Sequence, residues 1–349
     1  MDASDPRAAV ASGALRLRRA LAAIVRSTPA VAERAAELSR DYRSGSSPSD
    51  PRGHVHDAGS AAAYAAARMP ATFAAVGRAL AETADRMPNF RPASLLDVGA
   101  GTGAATWAAS AIWPTMSDLR LVDRERAMVD LGRRLAAGQP APLATADWVI
   151  GGLEEGALPT ADLVTATYLL GELTSGQLAS DLIARLWAAT RGLLVIVEPG
   201  SRAGFERIRA ARAGLIAAGG HLVAPCPGDE PCPIVGVAWC HFLARLDRSP
   251  LQRTVKGAAR SWEDEPFSYV AVGRTAGAAT PRIVLGRPRH RPGRIELRIC
   301  VDGRIEQQVL SRRDGAAWRA ARDLAWGDAL PGEVADHLGI GRDANSGKP

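Results

Sequence analysis

Apolar and polar residues alternate along the chain with two different periods. Residues 5–42 carry apolar side chains at helical spacing and predict two helices that are broken near Pro29. Residues 43–60 are polar and rich in turn formers, which predicts a linker. The alanine-rich pattern that follows predicts a long helix, which Pro70 either kinks or divides in two. Residues 1–90 are therefore expected to form an N-terminal helical region.

From Ser94 the pattern changes to short apolar runs separated by helix-like stretches. The runs are SLLDVGA, LRLVD, DLVTATYLL and GLLVIVEPG. Strands that alternate with helices predict a parallel, doubly wound sheet. The expected fold class is therefore α/β, with a Rossmann-like sheet within residues 91–280. A further helix, FERIRAARAGLIAAG, and a further strand, FSYVAVGR, belong to the same domain.

The C-terminal part of the chain has a pattern of its own. The segments RIVLGR, RIELRICV and RIEQQVL alternate apolar and polar residues, and glycine-containing turns separate them. This alternation predicts a small β-rich module over residues 281–330, called the C-terminal module below. Residues 331–349 end in the polar stretch GRDANSGKP and are predicted to be partly disordered.

Positive charge is concentrated in the C-terminal module. The whole chain has a net charge of +6, whereas residues 281–322 alone contain eleven arginines and four acidic residues, a local balance of +7. A basic surface of this kind is typical of proteins that bind phosphate groups of nucleic acids. A solvated basic face without a partner is the alternative interpretation.

Two classes of protein are disfavoured by the N-terminal residues and the apolar runs. No apolar run approaches the roughly 20 residues that a membrane helix needs. The first 25 residues lack the apolar segment and cleavage site of a secretory signal, and Asp2 and Asp5 argue against an organellar transit peptide. We therefore predict a cytoplasmic protein with no membrane partner. Structural disulfides are rare in that compartment, so its cysteines are better interpreted as metal ligands or reactive thiols.

A glycine-rich turn follows the first strand of the predicted sheet. In LLDVGAGTG, the glycines Gly99, Gly101 and Gly103 permit a tight turn and a close approach of the backbone to a ligand. Asp97 precedes the turn, where it would repel a pyrophosphate, and the third glycine of the dinucleotide fingerprint is missing. The turn therefore favours a cationic or zwitterionic ligand such as S-adenosylmethionine. Asp123, at the end of LRLVD, is placed to accept hydrogen bonds from ribose hydroxyls.

LLDVGAGTG and the following LVD resemble motif I and the second-strand acid of class I S-adenosylmethionine-dependent methyltransferases. The residues that this resemblance assigns to the cofactor are Asp97, Gly99, Gly101, Thr102, Gly103 and Asp123. Two alternatives remain: a sheet whose turn binds nothing, and a protein that binds the cofactor without transferring its methyl group.

Residues for the methyl-transfer step are less evident. DLVTATYLLGEL lacks the Asn/Asp-Pro-Pro-aromatic signature of many amino-group methyltransferases, and it offers no cysteine for covalent catalysis. Glu172 and Glu198 fall near the carboxyl ends of strands, where they would orient a substrate or act as a base. Helix-start or turn carboxylates are at least as good an interpretation, so no catalytic residue is predicted.

Three of the four cysteines lie in PCPGDEPCPIVGVAWCHF, residues 225–242. With Cys300 they give the spacing C-x5-C-x7-C-x59-C, which lacks the tight C-x2-4-C pairs of structural zinc sites. A cubane iron–sulfur cluster takes one thiolate per iron and can draw its ligands from a wider loop. Spacing alone favours iron–sulfur over zinc only slightly, and cysteines without a ligand remain an alternative.

An ordered series of short motifs surrounds these cysteines. It includes EPG at 198–200, APCP at 224–227, WCHF at 239–242 and EDEPFSY at 263–269. The series, which covers residues 64–328, resembles the methyltransferase-like family of small-ribosomal-subunit assembly proteins, whose mitochondrial members act on the mitochondrial ribosome. WCHF and EDEPFSY are its specific part, since many enzymes share the glycine turn.

The family resemblance implies a [4Fe–4S] cluster, with zinc as the lesser alternative. The implied ligands are Cys226, Cys232, Cys240 and Cys300, while His221 and His241 are not needed for four-coordination. Because Cys300 lies in the basic segment, the cluster would tie the C-terminal module to the methyltransferase core.

The resemblance also implies an RNA partner and, with it, a function. The expected protein is an S-adenosylmethionine-dependent, methyltransferase-like iron–sulfur protein that acts on small-subunit ribosomal RNA or a 30S assembly intermediate. A non-catalytic assembly factor that uses the fold only as a binding platform is the alternative. A small-molecule methyltransferase with a zinc-stabilised lid would leave the basic module unexplained. The sequence does not predict an oligomeric state.

Overall fold

The architecture was analysed in a computed structural model of the chain. It describes residues 5–28, 31, 34, 55, 57–152, 157–278, 282–301 and 303–339. The break near Pro29, the helix predicted after it, most of the predicted linker and the polar C-terminal stretch from residue 340 onward lie outside the described residues. None of the described helices combines the length and the apolar character needed to cross a bilayer.

Two helices from the N-terminal region cover one face of the molecule. Helix α1, Pro6–Arg26, begins at Asp5, whose side chain accepts a hydrogen bond from the first turn. Helix α2, Ala58–Arg86, begins with a capping box between Asp57 and Ser60, so helix starts inside the segment predicted as linker. It continues through Pro70 as one helix of 29 residues, and the predicted division into two does not occur. Tertiary packing of its buried alanine face compensates for the hydrogen bond that proline cannot make.

Five parallel strands and their crossover helices form the centre of the molecule. The strands are β1 Ser94–Val98, β2 Asp118–Asp123, β3 Asp147–Ile150, β4 Ala161–Thr167 and β5 Thr190–Pro199. The helices are α3 Ala104–Ile112, α4 Arg126–Ala137 and α5 Gly176–Ala189, followed by α6 Arg202–Ala217 after β5. One apolar core lies beneath α1 to α4, and a second lies between the opposite face and α5 and α6. The prediction of an α/β, Rossmann-like doubly wound sheet is confirmed.

Three later strands extend this sheet in antiparallel fashion. They are β6 His221–Ala224, β7 Phe242–Asp247 and β8 Trp262–Gly273, with helix α7, Pro250–Lys256, between the last two. The strand order is β3-β2-β1-β4-β5-β8-β6, and β7 pairs with the first half of β8. The cysteine-rich loop therefore connects two strands that both pair with β8.

The C-terminal module is a four-stranded antiparallel sheet. Its strands are β9 Ile283–Val284, β10 Arg289–Arg291, β11 Arg294–Val301 and β12 Arg304–Ser311. Two short helices that the pattern did not predict, α8 Gly315–Ala321 and α9 Gly332–His337, complete its apolar core. Val334 of α9 is fully buried there, so the module extends beyond the predicted boundary at residue 330.

Candidate functional site

The glycine turn between β1 and α3 is built in a conformation that favours glycine. Gly99, Gly101 and Gly103 have φ angles of +67°, +54° and +85°. A Cβ atom on Gly99 would lie 2.7 Å from a methyl group of Leu169, and one on Gly103 would lie 2.9 Å from the Trp148 ring. The sequence therefore needs glycine here both for the backbone angles and for the close packing around the turn.

Asp97 supports this turn from below. Its side chain is buried, and its oxygens accept hydrogen bonds from the Thr106 amide (3.2 Å), the Thr106 hydroxyl (2.8 Å) and the Thr165 hydroxyl (2.8 Å). Burial raises the pKa of Asp97 to about 6, although the hydrogen bonds from both threonines act in the opposite direction. The carboxylate that the sequence suggested as a ligand contact thus holds α3 and β4 together, while Thr102 is buried in the turn above it.

Asp123 lies on the other side of the turn, at the end of β2. One of its oxygens accepts the Gly101 N–H at 2.7 Å, and the other accepts the Glu125 N–H at 2.8 Å. Burial raises its pKa, and these backbone hydrogen bonds oppose the shift. A carboxylate has about four acceptor positions, so two remain for hydroxyl donors of a ligand. The geometry places this acceptor directly beside the glycine turn.

The two carboxylates considered as catalytic candidates have different surroundings. Glu198, at the end of β5, is fully buried, and its two oxygens bind the Arg207 Nε (2.7 Å) and the Leu170 N–H (2.9 Å). Burial raises its pKa, and Arg207 opposes that shift. Glu198 therefore anchors the segment after β4 to helix α6. Glu172 lies near the surface, where it pairs with Arg124 at 3.5 Å.

One residue of this region was missed by sequence reasoning. Tyr168 follows β4 and has a φ angle of +57°, the only positive value for a non-glycine residue in the described ranges. Its hydroxyl lies 3.2 Å from the Glu265 carboxylate, which also pairs with Arg68 at 3.2 Å. Strained backbone of this kind clusters at functional sites, and the only sequence signal was a tyrosine directly after a predicted strand.

The structure brings all four cysteines to one cavity of about 60 Å³. Three of them come from the loop between β6 and β7, and the fourth comes from β11 of the C-terminal module. None of the four forms a disulfide bond. Phe205, Ile234 and Leu285 complete the apolar wall around Cys300. The two units of the molecule therefore meet at the cysteines.

The alternation along β11 explains how Cys300 reaches this cavity. Ile295, Leu297 and Ile299 point into the core of the C-terminal module. Arg294 and Arg298 lie on the opposite face and are exposed, and Cys300 continues that same face but is buried. The cysteine-rich loop thus covers one end of a sheet face that is otherwise basic. The module is also held at its β11–β12 turn, where a Cβ atom on Gly303 would lie 2.9 Å from Glu230.

The pKa values of the cysteine thiols affect how the cavity would bind a metal. Burial raises the pKa of Cys226 and of Cys240, and the neighbouring thiols raise that of Cys240 further. Arg212 opposes the shift at Cys226. A metal bound here would therefore have to displace protons from the thiols.

Arg212 is itself buried in the wall of the cysteine cavity. Its guanidinium donates to the carbonyls of Gly228 (2.8 Å) and Glu230 (2.6 Å) in the cysteine-rich loop. Its Nε is buried without a hydrogen-bond partner. A buried cationic donor beside a set of thiols suits a negatively charged thiolate centre. Among the described residues, however, no group of three or more His, Cys, Asp or Glu is arranged to hold a metal ion.

The arginines of the C-terminal module lie almost entirely at the surface. Of the eleven arginines between residues 281 and 322, ten are exposed, and their ion pairs with Glu296 and Glu306 are long, at 3.9 Å. The local excess of positive charge predicted from the sequence is therefore presented to solvent.

Curated relatives of this chain are mitochondrial proteins. The human mitochondrial ribosome assembly protein METTL17 is 34% identical over 298 residues, which are 77% of this chain and 62% of the relative. The mitochondrial Rsm22-cox11 tandem protein 2 of Schizosaccharomyces pombe is 25% identical over 288 residues, 68% of this chain and 38% of the relative. This chain thus spans less than two thirds of the length of these relatives. The prediction of a cytoplasmic protein is contradicted by these matches, because the N-terminal composition on which it rested carries less information than relatives of known location.

Two solved methyltransferase structures align with part of this chain. Magnesium protoporphyrin IX methyltransferase from Synechocystis PCC 6803, with bound S-adenosylmethionine, aligns with a TM-score of 0.38 and 14% identity, covering 59% of this chain and 80% of that one. The N-methyltransferase NodS from Bradyrhizobium japonicum WM9 aligns with a TM-score of 0.38 and 12% identity, covering 57% of this chain and 93% of that one.

The family of the chain follows from a match over most of its length. The family described as mitochondrial small ribosomal subunit Rsm22 matches residues 58–331, from the start of α2 to the loop before α9. The match includes the glycine turn, the cysteine-rich loop and the basic sheet. The resemblance to small-subunit assembly proteins is thereby confirmed, and this chain belongs to the Rsm22 family.

Proposed function

We propose that this protein binds S-adenosylmethionine and a [4Fe–4S] cluster and acts on small-subunit ribosomal RNA during ribosome assembly, as a methyltransferase. One observation carries the proposal. Four cysteines that form no disulfide bond come from two separate units and line one cavity, which lies where the glycine-turn domain meets an exposed basic sheet. Membership of the Rsm22 family and the name of the human relative support a role at the small ribosomal subunit.

The methyl donor would bind at the carboxyl ends of β1 and β2. S-adenosylmethionine supplies a methyl group activated by its sulfonium. Asp123 would accept the ribose hydroxyls, and the backbone of Gly99, Gly101, Thr102 and Gly103 would lie against the ligand, because the three glycines have no side chain and that of Thr102 is buried. Asp97 would keep the turn in place through Thr106 and Thr165.

The cluster would be held by Cys226, Cys232, Cys240 and Cys300. A [4Fe–4S] cluster supplies four iron sites that each take one thiolate. The all-thiol donor set and the unpartnered Nε of Arg212 support an anionic centre. Zinc is the lesser alternative, because structural zinc sites usually carry tight C-x2-4-C pairs, which this chain lacks. Arg212 would hold the loop that carries the first two ligands.

The RNA would bind to the arginine face of the C-terminal module. Arginine presents planar, bidentate donors to phosphate and also stacks on exposed bases. Strands β10 and β11 carry four exposed arginines without close acidic partners: Arg289, Arg291, Arg294 and Arg298. A polyanion can therefore bind them without breaking strong ion pairs.

A non-catalytic assembly factor is the second candidate function. The observation that favours it is the state of Glu198, which is fully buried and whose oxygens accept hydrogen bonds from Arg207 and Leu170, so that it anchors the fold. Glu172 is committed to Arg124 near the surface. In this version the cofactor pocket and the cluster would shape a binding platform, and the methyl group would not be transferred.

Methyl transfer from labelled S-adenosylmethionine to naked small-subunit ribosomal RNA distinguishes the two versions. The enzyme is expected to incorporate label that D123N does not. Tight binding of both the cofactor and the RNA without label in the RNA would support the platform. Binding of neither ligand would contradict both.

A further inference from the structure

The cysteine-rich loop carries an exposed apolar tip between its second and third cysteines. Seven large apolar side chains are exposed in the part of the chain that the structure describes, and three of them fall in this tip, residues 235–239. Val235 is 75% exposed, Val237 is 78% exposed and Trp239 is 40% exposed. A run of exposed apolar residues of this kind marks an interaction site more often than an accident of the surface.

The backbone of this tip is held in place from below. Arg209 donates to the Ile234 carbonyl at 3.2 Å, and Arg202 donates to the Gly236 carbonyl at 3.1 Å. The Trp239 indole N–H donates to the Gly200 carbonyl at 3.0 Å. Three hydrogen bonds to the backbone and to the polar edge of the indole leave the apolar side chains to face outward. The tip is therefore an ordered projection.

The tip lies between the two surfaces assigned above to the RNA and the methyl donor. Ile234 contacts the wall around Cys300, and Arg298 lies two residues before that cysteine on the same exposed face of β11. On the other side, Gly200 directly follows β5, which is two strands and thus roughly 10 Å from β1. A chain bound to the basic sheet would pass the tip to reach the glycine turn.

The aromatic rings around Trp239 already form a series. Its ring lies 6.0 Å from that of His241 at an angle of 26°, and His241 in turn lies 3.7 Å from Trp326. A flat ligand on the exposed part of Trp239 would extend this series by one ring. Unpaired nucleobases bind proteins in this way, by stacking on aromatic side chains beside a basic groove. Exposed arginines nearby, Arg202 beneath the tip and Arg298 on β11, favour such a polyanion over an apolar protein surface.

We propose that residues 235–239 bind single-stranded RNA. One base would stack on Trp239, and Val235 and Val237 would contact the nucleotides next to that base. This inference rests on the proposed function and names the segment of the protein that holds the RNA strand at the entrance of the cofactor pocket. In this proposal the cysteine-rich loop has a second role besides joining the two units: it sets the orientation of the tip.

The test measures binding of a single-stranded fragment of small-subunit ribosomal RNA to the full-length protein by fluorescence anisotropy. W239A is expected to weaken binding roughly 5- to 100-fold, as is typical for the loss of one base–aromatic stack. W239F keeps an aromatic face but loses the indole N–H bond to Gly200, so it is expected to weaken binding much less than W239A does. The double variant V235S/V237S is expected to weaken binding by a smaller factor. L178S, which alters a similarly exposed side chain on α5 (49% exposed), is the matched control and is expected to have no effect.

Unchanged affinity for S-adenosylmethionine and an unchanged melting temperature show that each variant is folded. If the wild type binds the RNA and W239A binds it equally well, the tip is not the contact and this inference alone is overturned. If the wild type itself does not bind the RNA, the proposed function fails and the inference fails with it. A loss shared equally by W239A and W239F would also contradict a stacking role.

Discussion

At the scale of single residues, the two aspartates of the glycine turn have separate tasks that the sequence did not distinguish. Both were assigned to the cofactor because both stand near the turn. The structure turns Asp97 toward Thr106 and Thr165 inside the fold, whereas Asp123 lies beside the turn with acceptor positions to spare. Sequence spacing places a residue near a site, but the direction of its side chain depends on neighbours from other elements.

Replacing Asp123 with asparagine is expected to weaken S-adenosylmethionine binding. The change removes the negative charge and one acceptor, and hydrogen bonds to charged groups contribute about 1.5–3 kcal/mol, which corresponds to a loss of affinity of roughly ten- to a hundredfold. Isothermal titration calorimetry measures the effect directly. D130N, at an exposed carboxylate on α4 that pairs with Arg133, is the control and should bind as the wild type does. Equal affinities for D123N and the wild type would place the ribose elsewhere.

Asp97 should change how the free energy of unfolding depends on pH. Its pKa of about 6 in the folded state lies above the ordinary value of 3.8, so the folded state holds a proton that the unfolded state has released between roughly pH 4 and 6. Stability contributed by this group therefore falls as the pH rises through that window, and it is constant above it. The free energy of unfolding should be measured by urea titration at several pH values. The value for D97N should increase relative to that of the wild type as the pH rises through the window. Parallel curves for the two proteins would contradict the assigned burial.

At the scale of elements, the sequence predicted the parallel strands β1, β2, β4 and β5 but missed β3, β6 and β7. β4 and β5 are largely apolar and buried, and such runs are typical of buried parallel strands. β3, β6 and β7 have four to six residues with partly polar patterns, and pairing with neighbours rather than local propensity decides their structure. Tyr168 was missed because a left-handed tyrosine has no sequence signature.

Glu198 of β5 accepts hydrogen bonds from Arg207 of α6 and from the segment after β4, and we call this contact the Glu198 clamp. Changing Glu198 to glutamine leaves Arg207 facing a neutral partner and weakens the hold on the segment after β4. We expect a loss of roughly 2–4 kcal/mol in the free energy of unfolding, below the largest values for buried pairs because Arg207 is partly exposed. Glu206 on the same helix forms an exposed pair with Arg209, so E206Q is the matched control and should change stability by under about 1 kcal/mol. Equal effects in the two variants would show that Glu198 is not a clamp.

At the scale of the whole molecule, the four cysteines lie where the two units meet. The sequence supplied the ligand set only through family resemblance, because spacing left zinc, iron–sulfur and free thiols open. The fold then explains why Cys300 belongs with the other three: it is the buried end of an otherwise exposed, basic strand face. Composition had located the basic module, but it could not show that the cysteine-rich loop covers one end of that module.

Changing Cys300 to serine should therefore affect RNA binding more than cofactor binding. In the proposed cluster, this variant would lose the one ligand that the C-terminal module contributes, so the basic sheet would be held less firmly relative to the glycine turn. Anisotropy with small-subunit RNA should show weaker binding, limited proteolysis should cut the module from the core more readily, and calorimetry should give nearly unchanged affinity for S-adenosylmethionine. Comparable losses of both ligands, or of neither, would contradict this arrangement.

The most direct test of the central claim is the metal content of protein purified without oxygen. A [4Fe–4S] cluster on Cys226, Cys232, Cys240 and Cys300 predicts about four irons and four sulfides per chain, together with absorption near ~400 nm from thiolate-to-iron charge transfer, and all of these should be lost in C300S. A colourless protein that contains one zinc, or no metal at all, would contradict it.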